Sequence, residues 1–182
     1  MTSFIINAHL DRPPAPSWMI TGSDSDCSFC RIIKGELPAY RVFENEKVLA
    51  ILDILPLRKG HTLVIPKIHQ SRISELPPDY AASVGEAVSK VAHALAQAMD
   101  NTALNVVCNQ EYAQAVPHVH FHIIPAPTFG SSSSSREIIN PELSKPGVPL
   151  TTREMHQKEF ESRDELDEDD AKFLVTQISA RL

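Results

Sequence analysis

Apolar residues recur along this chain at two distinct periods. Strict alternation over His118-Val119-His120-Phe121-His122, followed by Ile123, Ile124 and Pro125, is the period of a β-strand. Similar short runs predict strands at Tyr40–Glu44 and Val48–Leu52, joined by a tight Asn45-Glu46-Lys47 connection. Further strands are predicted at His61–Ile65, Leu104–Asn109 and Pro117–Ile124. The helical period appears after Pro77-Pro78-Asp79, where Val84, Val88, Val91 and Leu95 form one stripe and His93 lies opposite it, facing solvent. A last helix, roughly 167–181, carries Phe173, Leu174, Ile178 and Leu182 on its apolar side. A short helical turn runs from Cys27 to about Lys34 and ends at Gly35. Five short strands around one long helix predict an α+β fold built on a five-stranded, mostly antiparallel sheet.

Punctuation divides the chain. Residues 1–25, with Pro13, Pro14 and Pro16, read as an N-terminal extension. Residues 26–130 hold the sheet domain, and 131–182 hold a flexible Ser/Pro-rich linker and an acidic helical segment. The formal charge is −6, and it is unevenly placed. From Thr152 to Lys172, nine acids against four bases carry −5, leaving the rest near neutral. No basic stripe offers itself to a nucleic-acid backbone. No window approaches the ~18 apolar residues of a membrane span. Met1 to Ile6 reads as neither signal nor transit peptide. Three cysteines argue against a disulfide framework and for a reducing compartment. The expected location is the cytoplasm, with the nucleus as a secondary site.

The candidate chemistry starts from the three histidines, which a strand places on one face with Val119 and Phe121 on the other. On a straight strand His118 and His122 lie about 13 Å apart, at roughly 3.3 Å per residue, too far to share one metal. Divided labour follows. Cys27-Ser28-Phe29-Cys30 is a C-x-x-C pair, which alone reads as a redox dithiol, a coincidence or half of a metal site. Together with His69 and His118 it composes a closed two-cysteine, two-histidine set suited to structural zinc. Cys108, with no cysteine nearby, reads as a packing residue. His120 and His122 remain for reaction. A neutral imidazole is nucleophilic near pH 7, so His120 can attack phosphorus to give a phosphoramidate that water later hydrolyses. His122 can donate to a phosphate oxygen or to the leaving group.

These residues resemble the histidine-triad (HIT) family. His118–Ile124 matches its His-φ-His-φ-His-φ-φ motif at every position. The likeness extends through Cys27-x-x-Cys30, Gly35-Glu36-Leu37-Pro38, Leu49–Ile54 and Gly60–His69, and covers about residues 25–126. The zinc cysteines place it nearest the Hint-type hydrolases. The resemblance implies a homodimer with a continuous ten-stranded sheet, and hydrolysis of a purine nucleoside monophosphate from its leaving group (AMP-X: a phosphoramidate, adenylate or dinucleoside polyphosphate). It implies His120 as the nucleophile that becomes nucleotidylated and His122 as its phosphate-contacting partner. The implied zinc ligands are Cys27, Cys30, His69 and His118. Asp53 matches the carboxylate that binds the ribose hydroxyls, and Phe29, Ile32, Leu52 and Ile54 the apolar positions that bracket the base. Asn109 and Gln114 match polar contacts on the phosphate side, and His61 either faces the phosphate region or packs.

The loop before the triad departs from the Hint pattern. Ala115 stands where that pattern carries a serine hydroxyl, Ala113 replaces a glycine, and the loop is two residues shorter. Loss of a donor used in the transition state costs ~10²-fold or more. Two alternatives therefore stay open: a catalytically weak nucleotide-sensing or scaffold module, and a dinucleoside polyphosphate hydrolase. A DNA-deadenylating enzyme would bring a basic surface. A transferase acting on a sugar phosphate would replace the third histidine, which is present as His122.

Overall fold

The computed structural model describes residues 26–111, 113–126, 161 and 163–182. The N-terminal extension and the serine tract lie outside them. The elements in chain order are α1 (Ser28–Ile33), β1 (Arg41–Glu44), β2 (Val48–Leu52), β3 (Thr62–Pro66), a 3₁₀ turn (Ile73–Glu75), α2 (Pro78–Met99), β4 (Leu104–Cys108), β5 (Phe121–Pro125) and α3 (Glu168–Ser179). The five strands form one sheet in the order β1-β2-β3-β5-β4, with every neighbouring pair antiparallel. This is the expected α+β fold.

Side-chain parity gives the sheet two distinct faces. Val48, Ala50, Leu52, Val64, Val119 and Ile123 point to one side, where α2 and α3 cover them. Leu49, Ile51, Leu63 and Ile65 point to the other, against α1 and its Phe29, Cys27 and Cys30. A strand buried on both faces reads as a continuous apolar run, and every residue of β2 is buried.

The long helix begins with Pro78 at its first position, where a missing N–H costs nothing, and ends at Asp100 in the left-handed conformation. Val84, Val91 and Leu95 are buried as their stripe predicts, Val88 is half-buried, and Ala87 and Ala94 complete the contact. His93 is exposed, as predicted. In α3 the apolar side differs from expectation. Ala171, Leu174 and Ile178 are buried at spacings of three and four, whereas Phe173 is 57% and Leu182 44% exposed. Phe173 sits a hundred degrees off that stripe, and the Lys59 ammonium lies 5.9 Å from its ring centre. The acidic run has a local role here: Asp167 caps α3 by accepting from the Asp169 and Asp170 N–H groups, and three acids occupy the first turn.

Four strands depart from their predicted bounds: β1 starts at Arg41 rather than Tyr40, and β4 ends at Cys108 rather than Asn109. β3 runs to Pro66, and β5 starts at Phe121 rather than Pro117. The backbone before Phe121 bonds elsewhere: Val119 N–H donates to Gln70 O (2.7 Å) and His118 N–H to Val116 O (2.8 Å). Beyond Pro66 the chain curls away, so the triad's first half runs beside a loop. Side-chain alternation persists without the ladder: His118 and His120 meet the Phe29 ring, and Val119 packs into the core under α2.

Gly60 sets the entry to β3. Its φ is +87°, and a Cβ there would approach Leu95 Cδ1 to 3.1 Å and both Met99 and Pro125 to 3.4 Å. Gly60→Ala is expected to cost about 1–2 kcal/mol from the left-handed backbone alone, and more from the crowding. Urea unfolding measures it; an unchanged midpoint would contradict this geometry.

Candidate functional site

All three triad histidines lie on the α1 side of the sheet, as alternation requires, while Val119 and Phe121 pack on the α2 side. Phe29 is the spacer between α1 and the triad. Its ring meets His118 (centroids 5.9 Å) and His120 (5.1 Å) edge-on. The side chains then separate into two clusters, one at each end.

The first cluster is Cys27, Cys30, His69 and His118, whose ligand atoms all lie within 4.8 Å of one another. Cys27 and Cys30 sit at the first turn of α1, which brings residues three apart onto one face. Their sulfurs lie 3.4 and 3.6 Å from His118 Nδ1, and Cys30 Sγ is 3.3 Å from His69 Nδ1. Zinc bonds of about 2.3 Å to sulfur and 2.0–2.1 Å to nitrogen, at the tetrahedral angle, separate S from N by about 3.5 Å. The fit extends to protonation. His118 Nε2 is 2.8 Å from Pro66 O, which can only accept, so the proton is on Nε2 and the Nδ1 lone pair faces the sulfurs. A carbonyl holding the outer nitrogen is the usual support of a metal-bound imidazole. The two cysteines are not disulfide-bonded, and both are buried. These four residues suit a structural metal ion.

The second cluster contains the remaining two triad members. His120 Nδ1 lies 2.7 Å from His118 O and therefore donates to it, leaving Nε2 as a bare lone pair. Burial lowers the His120 pKa, opposed by the carbonyl that accepts its proton, and the ring stays neutral near pH 7. His122 stands beside it, with ring centres 4.8 Å apart. Its Nδ1 is 2.9 Å from His61 Nε2, and His61 Nδ1 accepts from Leu57 N–H at 3.2 Å. A backbone N–H can only donate, so His61 carries its proton on Nε2 and gives it to His122 Nδ1. His122 consequently presents Nε2–H, a donor, next to the lone pair of His120. The pairing of a nucleophile with a donor is fixed by two backbone groups, His118 O and Leu57 N.

Asp53 closes this cluster. Its Oδ1 accepts from Leu55 N–H (2.9 Å), and its Oδ2 lies 3.3 Å from His61 Nδ1. Burial first, then the charges of His122 and Arg163, hold His61 down at about 3; burial first, then His120, does the same for His122. The approach of Asp53 to His61 is thus a contact with a neutral ring, not an ion pair. Burial also raises the Asp53 carboxyl, opposed by the Leu55 N–H and by the charge of Arg163.

The other sequence-derived positions fall at different distances from this centre. Ile54 is 63% exposed beside Asp53, and Ile32 packs against the Phe29 cluster. Leu52 is turned into the core under α2, on the opposite sheet face from Phe29, and Ile51 occupies the Phe29 side. Asn109 is half-buried at the end of β4, and Ala115 is exposed. Gln114 is engaged by its own loop: Nε2 donates to Ser71 O (2.9 Å) and His118 O (3.3 Å), and Oε1 accepts from Glu111 N–H. Glu111 and Ala113 both have φ near +58°, a conformation glycine adopts more easily, so the loop stores backbone strain beside the triad. Burial raises the Cys108 thiol, which keeps it protonated.

His61 is the residue that sequence reasoning underrated. A usable signal exists. It shares parity with Leu63, the register partner of His122, so it had to lie on the triad face. The low pKa values of His61 and His122 also make a prediction. Unfolded imidazoles take up protons below about pH 6.5, but the folded ones resist until about pH 3. The stability they supply is complete above pH 6.5 and falls as the pH drops toward 3. By pH 5 the loss reaches about 2 kcal/mol for each ring. Urea midpoints that stay level from pH 7 to 5 would rule this out.

The chain belongs to the HIT family: the HIT domain model matches residues 34–128. An uncharacterised HIT-like protein of Methanocaldococcus jannaschii is 48% identical over 101 residues, covering 54% of this chain and 78% of that protein. An adenosine 5′-monophosphoramidase of Schizosaccharomyces pombe is 44% identical over 102 residues, covering 56% of this chain and 74% of the relative. Among solved structures, a zinc-bound histidine triad family protein of Mycobacterium smegmatis superposes with a TM-score of 0.60 at 28% identity, covering 87% of this chain and 96% of that one. Among the described residues, no helix is long and apolar enough to cross a membrane.

Proposed function

We propose that this protein is a nucleotidyl hydrolase that releases a purine nucleoside monophosphate from AMP-X substrates, with zinc held by Cys27, Cys30, His69 and His118 as a structural ion. The observation that carries this reading is the pair of contacts that sets opposed protonation on His120 and His122, His120 Nδ1 on His118 O and His122 Nδ1 on His61 Nε2. Nε2 of His120 attacks the α-phosphorus, the N–P bond forms and the P–X bond breaks. The positive charge that develops on the nucleotidylated ring is met by His118 O, which already accepts its Nδ1–H. His122 Nε2–H hydrogen-bonds a phosphoryl oxygen as charge builds there. Water then attacks phosphorus, the N–P bond breaks with its electron pair returning to Nε2, the water's proton passes to solvent and His120 is left neutral. Asp53 takes the ribose hydroxyls by charge-assisted hydrogen bonds. Phe29, Ile32 and Ile54 flank the base, with Leu52 behind them in the core. Asn109 and Gln114 lie toward the phosphate side, Gln114 through the loop it braces.

The S. pombe relative supports a phosphoramidate as the substrate to try first. The test is release of AMP from adenosine 5′-phosphoramidate, with mass analysis of the base-quenched protein for AMP on His120. AMP release accompanied by that adduct is expected. A label on any other side chain would refute the mechanism. A weaker, nucleotide-sensing role is favoured by one feature, the absence of a hydroxyl at Ala115 in a strained loop. It predicts tight AMP binding with turnover near background. β4 forms an edge of the sheet, with Val106 exposed, and is the strand through which the expected homodimer would extend it.

A further inference from the structure

Glu111 and Ala113, in the loop that leads into the triad, both hold φ at 58°, a conformation that side-chain-bearing residues keep only when neighbours impose it. The contacts that impose it come from the segment 70–75, which follows His69. Gln70 O accepts from Val119 N–H (2.7 Å), and Ser71 Oγ donates to Pro117 O (3.1 Å). The Arg72 guanidinium pairs with the Glu111 carboxylate and also bonds Glu75 (2.9 Å). Gln114 lies between the two segments, and its partners fix its orientation. Glu111 N–H can only donate, so it takes Oε1 (2.9 Å), while Nε2 donates to Ser71 O (2.9 Å) and His118 O (3.3 Å). His118 O is the same oxygen that accepts His120 Nδ1–H at 2.7 Å, and its two lone pairs suffice for both donors.

We propose that Gln114 is a positioning residue for His120, holding His118 O in place as the acceptor of the Nδ1 proton, and that the Arg72–Glu111 pair keeps Gln114 seated. The proposal rests on the reading of His120 as the nucleophile. His120 reacts only as the tautomer with its proton on Nδ1, because the lone pair at Nε2 is what attacks phosphorus. One acceptor sets that tautomer, the carbonyl of the peptide between His118 and Val119. This peptide precedes the start of β5, so no sheet ladder holds it. Two contacts do so instead, Val119 N–H on Gln70 O at one end and Gln114 Nε2–H on His118 O at the other. With the second contact removed, the peptide plane can rock about the first, and the carbonyl drifts out of line with the imidazole. Arg72 acts two bonds further out, through Glu111, whose own N–H bonds Gln114.

Nitrogen-15 NMR of the histidine-labelled full-length protein reads the tautomer directly. Single-turnover cleavage of adenosine 5′-phosphoramidate and calorimetry with AMP read its consequence. In the wild type the His120 proton is expected on Nδ1. Gln114→Met keeps the side-chain length and removes both donors. It should slow cleavage about tenfold, the scale of one hydrogen bond, move part of the His120 proton signal to Nε2 and leave AMP affinity unchanged. Arg72→Ala should slow cleavage about threefold, as suits an exposed ion pair, and Arg72→Lys should restore most of the rate. A wild-type His120 protonated on Nε2 overturns the nucleophile assignment, and the proposal with it. A Gln114→Met protein that loses AMP affinity in parallel with rate, or keeps both the wild-type rate and tautomer, overturns the positioning role while the nucleophile stands. Should Gln114→Met fail to fold, Arg72→Ala decides: a slower reaction with AMP affinity intact supports the proposal, and an unchanged rate overturns it.

Discussion

Replacing His120 by alanine is expected to lower turnover of an adenosine phosphoramidate by about 10⁴-fold or more, the scale seen when a covalent nucleophile is removed. The size follows from geometry. His120 Nε2 is the unprotonated nitrogen because Nδ1 is committed to His118 O at 2.7 Å, and burial keeps the ring uncharged. Among the described residues, neither neighbouring candidate replaces it. His122 points a hydrogen rather than a lone pair into the site, and the half-buried Cys108 thiol is held in its protonated form. His122→Ala removes a donor instead of the nucleophile and should cost less, about 10²–10³-fold. Steady-state rates with adduct analysis check both. A His120→Ala protein within tenfold of wild type would remove the covalent route.

The second large effect concerns the cysteine–histidine cluster. Purified protein should carry about one zinc per chain, and Cys30→Ser or chelation should lower stability by about 4 kcal/mol or more, since loss of a structural metal belongs among the severest lesions. Cys30 is chosen because its sulfur approaches both His69 and His118, so it ties α1 to the loop after β3 and to the triad segment at once. Activity should fall with the metal before the fold is lost. His118 faces the sulfurs with its ring and orients His120 with its carbonyl, so slack in one is felt by the other. Thermal unfolding with elemental analysis measures the first effect, and rates in graded chelator the second. A metal-free protein of unchanged melting temperature would dispose of the structural role.

Alternation and spacing made most of this architecture readable. The triad's shared face and the α2 stripe follow from periods that the backbone enforces, and the C-x-x-C pair with His69 and His118 follows from donor chemistry and the family resemblance. What escaped depends on tertiary partners. The start of β5 was hidden because Gln70, in a loop, takes the Val119 N–H that a strand would otherwise use. Phe173 misled because a large apolar side chain at a helix surface looks buried until a neighbour such as Lys59 is in place. Leu52 occupies a strand end whose parity turns it under α2, a matter of one residue. His61 went underrated because its meaning comes from register with a strand sixty residues away.

The division of the sheet into a reactive side and a packed side has a consequence for how this chain can change. Pairing of Leu63 with His122 and of Val64 with Phe121 leaves no slack between the two strands. A single inserted or deleted residue within either would turn imidazoles toward α2 and aliphatic groups toward substrate in one stroke. Length variation is therefore expected to be excluded from these strands and admitted in the connections around them, where it can alter which leaving group is accepted without disturbing the reacting pair.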